Sequence, residues 1–138
     1  ACSSWFLPRL VGISQATEWV FTGRVFGATE ALAGGLVRSI HESTQLMDVA
    51  RGIAREIVDN TAPVSVALSR QMLWRMLGAD HPMDAHRVDS RGIQIRGRSD
   101  DAKEGVISFL EKRPAEFGMT VSRDFPDIFP DWEEPQFS

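Results

Sequence analysis

Ser99 to Phe117 reads S-D-D-A-K-E-G-V-I-S-F-L-E-K-R-P-A-E-F, and the way this stretch folds decides what the chain can build. Ser99 is placed to cap a helix, because its hydroxyl can accept a bond from an early orphan N–H. Asp100, Asp101 and Glu104 fall in the positive first turn of the dipole. Lys112 and Arg113 fall in the negative last turn, and Pro114 ends the helix. Ala102, Val106, Phe109 and Leu110 mark one apolar side, so the spacing predicts an amphipathic helix with that stripe turned inward.

Upstream, the same grammar repeats. Asp80-His81-Pro82 opens a helix with proline in its first turn, Ala85, Val88, Gly92 and Ile95 near one side, and Arg87, Arg91 and Arg98 near another. Pro63 starts a helix to about Leu77 that carries Val64, Ala67, Leu68, Met72 and Met76, with Leu73, Trp74 and Leu77 on a flank. The clearest periodicity begins at Thr44, where Leu46, Val49, Ala50, Ile53, Ala54, Ile57 and Val58 recur at helical spacing. That helix and the Pro63 helix are expected to pair as the local stability centre, at on the order of 1.5–3 kcal/mol per large buried side chain.

Towards the start, Ser3 or Ser4 is placed to cap a helix bearing Trp5, Phe6 and Leu7, which Gly12 breaks. Ile13, Ala16 and Val20 form a second stripe, ended by Thr22-Gly23. A short helix runs from Gly27 to Ala33 and stops at Gly34-Gly35. Leu36 to His41 reads as the one plausible strand. A lone strand makes no sheet, so it pairs outside these residues or is not a strand. Downstream of Gly118 periodicity ends. Pro126, Pro130 and Pro135 interleave with Phe125, Phe129, Trp132 and Phe137, and five acids from Asp124 to Glu134 meet no basic residue. This acidic-aromatic arm either docks its rings on a surface or stays disordered.

The chain has 138 residues, 43% hydrophobic and 25% charged, a soluble globular mixture with room for a modest core. Its net charge of −4 argues against a nucleic-acid footprint over the whole surface, though not against a local basic patch for phosphate. No apolar run is long enough to span a bilayer. The one cysteine, Cys2, excludes an intramolecular disulfide framework and fits a reducing, cytoplasmic setting. His41, His81 and His86 lack metal-ligand spacing, so no metal site is expected. No phosphate cradle, nucleophile elbow or paired-carboxylate motif appears. Glu18, Glu30 and Glu104 are read as members of solvated faces or first turns.

Four phrases carry the reading further. G-V-x-x-F-x-E-K-R-x-x-x-F, within Gly105 to Phe117, resembles the carboxy-terminal helix of the crotonase (enoyl-CoA hydratase/isomerase) superfamily. A-C-S-S-W-F-L-P-R-L-V-G at Ala1 to Gly12 is similar to the segment that begins the last helical part of that core, in the version of its double-bond isomerase branch. T-G-R-V-F with A-T-E-A-L-A-G-G-L-V, from Thr22 to Val37, resembles the family run T-G-x-x-x-x-A-x-E-A-x-x-x-G-L-V. N-T-A-P-V-S-V-A-L-S-R at Asn60 to Arg70 is close to its phrase before the trimerisation helices.

The resemblance implies a mainly α chain, the C-terminal helical part of a crotonase-like fold, with at most one or two short strands and without the N-terminal ββα spiral core. Residues 1–43 correspond to the end of the core, 44–117 to the helical trimerisation and lid region, and 118–138 to a tail outside the resemblance. It implies acyl-CoA as ligand, with no cofactor besides the coenzyme A of the substrate, and chemistry by proton shuttling next to a thioester. It also implies partnership with the missing N-terminal half and assembly as a homotrimer or hexamer. Phe109 and Lys112 match the Phe and Lys that lie near the CoA adenine and phosphates, and Trp5 and Phe6 are candidates for the acyl pocket. Phe109 reads equally as core, Lys112 as dipole compensation, and Trp5 and Phe6 as simple packing.

No residue is assigned a catalytic role. The family's two oxyanion donors lie in its first half. The carboxylate of the isomerase-like branch stands just before the position matching Ala1, so these 138 residues are not expected to catalyse alone. The alternative from another class is a non-catalytic helical oligomerisation or binding module.

Overall fold

The computed structural model describes residues 2–134 and 136. Ala1, where the first family-like phrase begins, and Pro135 and Phe137 of the tail lie outside them. Seven helices follow one another, and no strand forms among the described residues. The chain divides into two units, Ala1–Arg51 and Gly52–Ser138.

In the first unit, α1 (Ser3–Thr22) is two helical pieces joined at Gly12, whose φ of 80° and ψ of 158° suit only glycine. The sequence break at Gly12 is therefore real. The cap is not: Cys2, in the left-handed region, precedes the first turn, and neither Ser3 nor Ser4 caps it. Gly23, also left-handed, closes α1 by donating to the Trp19 carbonyl. The short helix α2 (Ala28–Ala33) ends at Gly34 as its sequence predicts.

Trp19 organises this unit. It is buried, stacks on Phe26 with centroids 4.2 Å apart, and donates its indole N–H to Glu30 Oε1 at 2.7 Å. Its ring lies so close to the Gly34 backbone that a Cβ there would fall 2.6 Å from Cη2. Of the expected Ile13, Ala16 and Val20 stripe only Ala16 is buried, while Ile13 and Val20 are 73% and 63% exposed. Leu36 to His41 is bend and coil rather than strand, since no strand forms among the described residues to receive its backbone hydrogen bonds.

The unit boundary falls within α3 (Leu46–Asn60). The Asn60 amide donates to the Glu56 carbonyl and the Thr61 hydroxyl to that of Ile57, which ties off the last turn. Despite its periodicity, α3 contains no buried residue. The expected α3 hairpin is thus not the stability centre. The next helix, α4 (Pro63–Met76), packs on α5 (Pro82–Arg96) and on the one-turn α7 (Val121–Asp124). The core joins Val64 and Leu68 of α4, Val88 of α5, and Ile128 and Phe129 of the tail, with Met72, Met76, Met119 and Phe125 around them. The tail is therefore docked: Ile128 is 1% exposed. Val64, Leu68 and Ile128 are the largest fully buried side chains, each worth roughly 1.5–3 kcal/mol. Among the described residues no helix is long and apolar enough to cross a membrane.

Candidate functional site

The sixth helix, α6 (Asp100–Glu111), starts as its sequence dictates. The Ser99 hydroxyl accepts the Ala102 N–H at 3.2 Å, and Asp100 and Asp101 occupy the first turn. What faces inward is not what periodicity predicts. Asp101 and Ser108 are buried, at 3% and 4% exposed, whereas Val106, Phe109 and Leu110 are 60%, 81% and 72% exposed. The helix is held by polar bonds on its inner side. The Asp101 carboxylate accepts from Arg96 Nη2 at 3.0 Å and from the Met119 N–H at 3.2 Å. Arg96 donates further to Ser65 Oγ, so α4, α5 and α6 meet at one guanidinium. Hydrogen bonding of that kind decides the helix's rotation, because an unsatisfied buried charge would cost more than exposed apolar area.

The end of α6 is equally specific. Lys112 takes the left-handed conformation, φ 55° and ψ 40°, a position that glycine usually fills. Its N–H donates to the Phe109 carbonyl at 3.3 Å, and the Arg113 N–H donates to that of Ser108 at 3.1 Å. Helix α6 thus stops one residue before Lys112, and neither Lys112 nor Arg113 is part of its last turn, contrary to the sequence expectation.

Arg113 serves a different purpose. It donates to both Glu104 oxygens, at 2.6 and 2.9 Å, and to Glu111 at 2.7 Å. Glu104 also accepts the Glu116 N–H at 2.7 Å, so this carboxylate staples the returning chain to α6. Arg113 first and the Glu116 amide second lower its pKa to about 2. Glu30 is likewise lowered, by its bonds to Arg24 and then Trp19. A general acid or base works best near the operating pH, so both carboxylates are structural anchors and poor proton shuttles. Sequence reading had them on solvated faces, since nothing local to Glu104 announces a partner nine residues away.

What remains at this end of α6 is an exposed ring and an exposed ammonium within one turn. The Lys112 side chain makes no ion pair or hydrogen bond, and the Phe109 ring meets no other ring, among the described residues. The reading of Phe109 as core therefore fails within this unit. A cation of that kind can meet a phosphate, and a ring face can stack on a base.

Trp5 and Phe6 belong to the first unit and touch each other edge to face, centroids 4.8 Å apart. The Arg9 guanidinium lies 4.0 Å from the Trp5 centroid, and Trp5 is half-buried. Beside the Gly12 break runs a mostly apolar groove of about 220 Å³, lined by Leu7, Pro8, Ile13, Ala16, Val20 and Phe21 among others. Neither Trp5 nor Phe6 lines it. No group of three His, Cys, Asp or Glu suited to a metal ion occurs among the described residues.

A sequence model of the family described as enoyl-CoA hydratase/isomerase matches residues 1–120. The enoyl-CoA hydratase AKT3-2 of Alternaria alternata is 36% identical over 122 residues, covering 88% of this chain and 40% of that protein. The short-chain-enoyl-CoA hydratase of Clostridium acetobutylicum is 38% identical over 110 residues, covering 80% and 41%. The crystal structure of an enoyl-CoA hydratase from Bacillus anthracis superposes with a TM-score of 0.75 at 30% identity, over 80% of this chain and 42% of that one. The chain thus spans about two fifths of the length of the relatives it matches.

Proposed function

Because this chain belongs to the enoyl-CoA hydratase/isomerase family, we propose that it is the C-terminal, acyl-CoA-binding portion of an enzyme that shuttles a proton next to a thioester. The reaction is double-bond migration or the addition of water to an enoyl-CoA. One observation carries the assignment of the ligand end: Phe109 and Lys112 stand exposed at the end of α6 while the neighbouring cation, Arg113, is consumed by Glu104 and Glu111. Lys112 keeps a left-handed backbone at a spot where glycine would sit without strain, and such residues cluster at ligand sites. Its ammonium meets the CoA phosphates and the Phe109 ring stacks on the adenine.

The reading gives no residue of this chain a catalytic role. The carboxylate and the oxyanion donors come from the N-terminal part of the fold. The outward apolar residues of α3 and α6 pack against that part or a neighbouring subunit in a cytoplasmic trimer or hexamer. Trp5 and Phe6 stand by the acyl chain.

Lys112→Ala in the complete enzyme tests the ligand role. Phosphate binding is the same in ground and transition states, so the Michaelis constant for a CoA thioester rises more than turnover falls. An unchanged Michaelis constant removes Lys112 from the site. The exposed faces of α3 and α6 also suit a second reading, a helical assembly module without chemistry. Intact mass and an enoyl-CoA turnover assay separate the two: a longer chain that turns over substrate eliminates the module.

A further inference from the structure

We propose that the cleft between the end of α4, the first half of α5 and the tail binds a small organic phosphate with a flat ring, of the nucleoside monophosphate class. This site is separate from Phe109 and Lys112, and part of it, Phe129, Asp131 and Trp132, follows the family-matched residues. The cleft has a volume of about 390 Å³, within the range of small-molecule sites. Three arginines line it, in a chain whose net charge is −4. Arg87 and Arg91 stand four residues apart on α5, hence on one face, and Arg75 reaches in from α4.

Arg75 is held ready. Its guanidinium lies 4.4 Å from the Phe129 centroid and 4.7 Å from that of Trp132, and it donates to Glu134 at 2.8 Å. The other two arginines are held loosely. Arg87 meets Asp84, and Arg91 meets Asp131, only at 3.5 Å and without a hydrogen bond. A charge-assisted bond of good geometry is nearer 2.7–2.9 Å. Asp131 and Glu134 are 87% and 70% exposed, so the tail offers carboxylates that solvent already screens. Asp131, whose contact is the loose one, marks where an anion is wanted and yields to a better one. A phosphate brings more oxygens and more charge than one aspartate, and its base can lie against the partly exposed Trp132 ring.

Calorimetric titration of the complete protein with AMP, with coenzyme A in parallel, tests this. AMP binds saturably. The paired variant Arg87→Gln with Arg91→Gln weakens it at least tenfold, since each arginine supplies a charge-assisted bond. Both side chains are substantially exposed, so this variant folds, and circular dichroism checks it. Asp131→Asn, which removes the competing carboxylate, tightens AMP binding several-fold. No saturation by millimolar AMP overturns the proposal, as does an affinity indifferent to the arginine pair. Dependence on that pair seen with coenzyme A only would also overturn it, because the phosphate would then be the thioester carrier's own.

Discussion

Replacing Asp101 by alanine tests how α6 is held. The carboxylate is 3% exposed and the Arg96 side chain 12% exposed, so the pair sits almost wholly out of water. Without Asp101, Arg96 keeps Ser65 Oγ at 3.2 Å and the Met119 sulfur at 3.4 Å, neither of which carries a countercharge. The Met119 N–H loses its acceptor as well. Breaking a buried pair from one side costs about 3–5 kcal/mol, against a total stability of roughly 5–15 for a typical domain. Asp101→Asn keeps an acceptor for Met119 and loses only the charge, so about 1.5–3 kcal/mol is expected. Joint replacement by Asp101→Leu and Arg96→Met leaves no buried charge and is expected to cost far less than Asp101→Ala. Urea unfolding followed by tryptophan fluorescence reads all three, provided the slope m is constant. An Asp101→Ala cost below about 1 kcal/mol, or a double variant no better than the single one, would refute the claim that polar anchoring sets the rotation of α6.

Three further outcomes follow from the packing. Gly34→Ala drives a Cβ to within 2.6 Å of the Trp19 ring and should destabilise the first unit by about 1–3 kcal/mol, visible in hydrogen exchange at Trp19 and its neighbours. Ile128→Ala should cost about 2–5 kcal/mol in urea and loosen the tail in limited proteolysis; a cost near zero would mean the tail is not part of the core. Glu104 has its pKa lowered to about 2, so its contribution is complete above the ordinary carboxylate value of 4.5 and drains away as pH falls toward about 2. Glu104→Gln should flatten the loss of stability over that window, and an acid-unfolding curve identical to that of the parent would count against the staple.

Helix positions were legible because their signals are local. Pro63, Pro82, Ser99 and Gly23 act through their own backbone and nearest neighbours, and each marks an end where the sequence places it. Facing was not legible, because a stripe of apolar residues says that a helix prefers a partner and not whether one is present. Val106, Phe109 and Leu110 look like core, yet a buried aspartate in the first turn of the same helix, paired with Arg96 of α5, turns them outward. The α3 stripe likewise contains no buried residue. In the tail, Ile128 and Phe129 carry no period, and only the α4–α5 surface tells that they dock. Of the candidate site, the sequence offered Phe109 and Lys112 as candidates, and their exposure at the end of α6 is what the structure adds. The diversion of Arg113 to Glu104 was not, since it depends on how the chain returns after Pro114.

The backbone at Lys112 sets comfort against use. A stability-guided redesign would write glycine at this position, since only glycine adopts that twist without a side-chain clash. The redesigned protein would tolerate more heat and would lose the exposed ammonium at the end of α6. Any library ranked on melting temperature would therefore enrich the variant that lacks this charge, without regard to what the charge does.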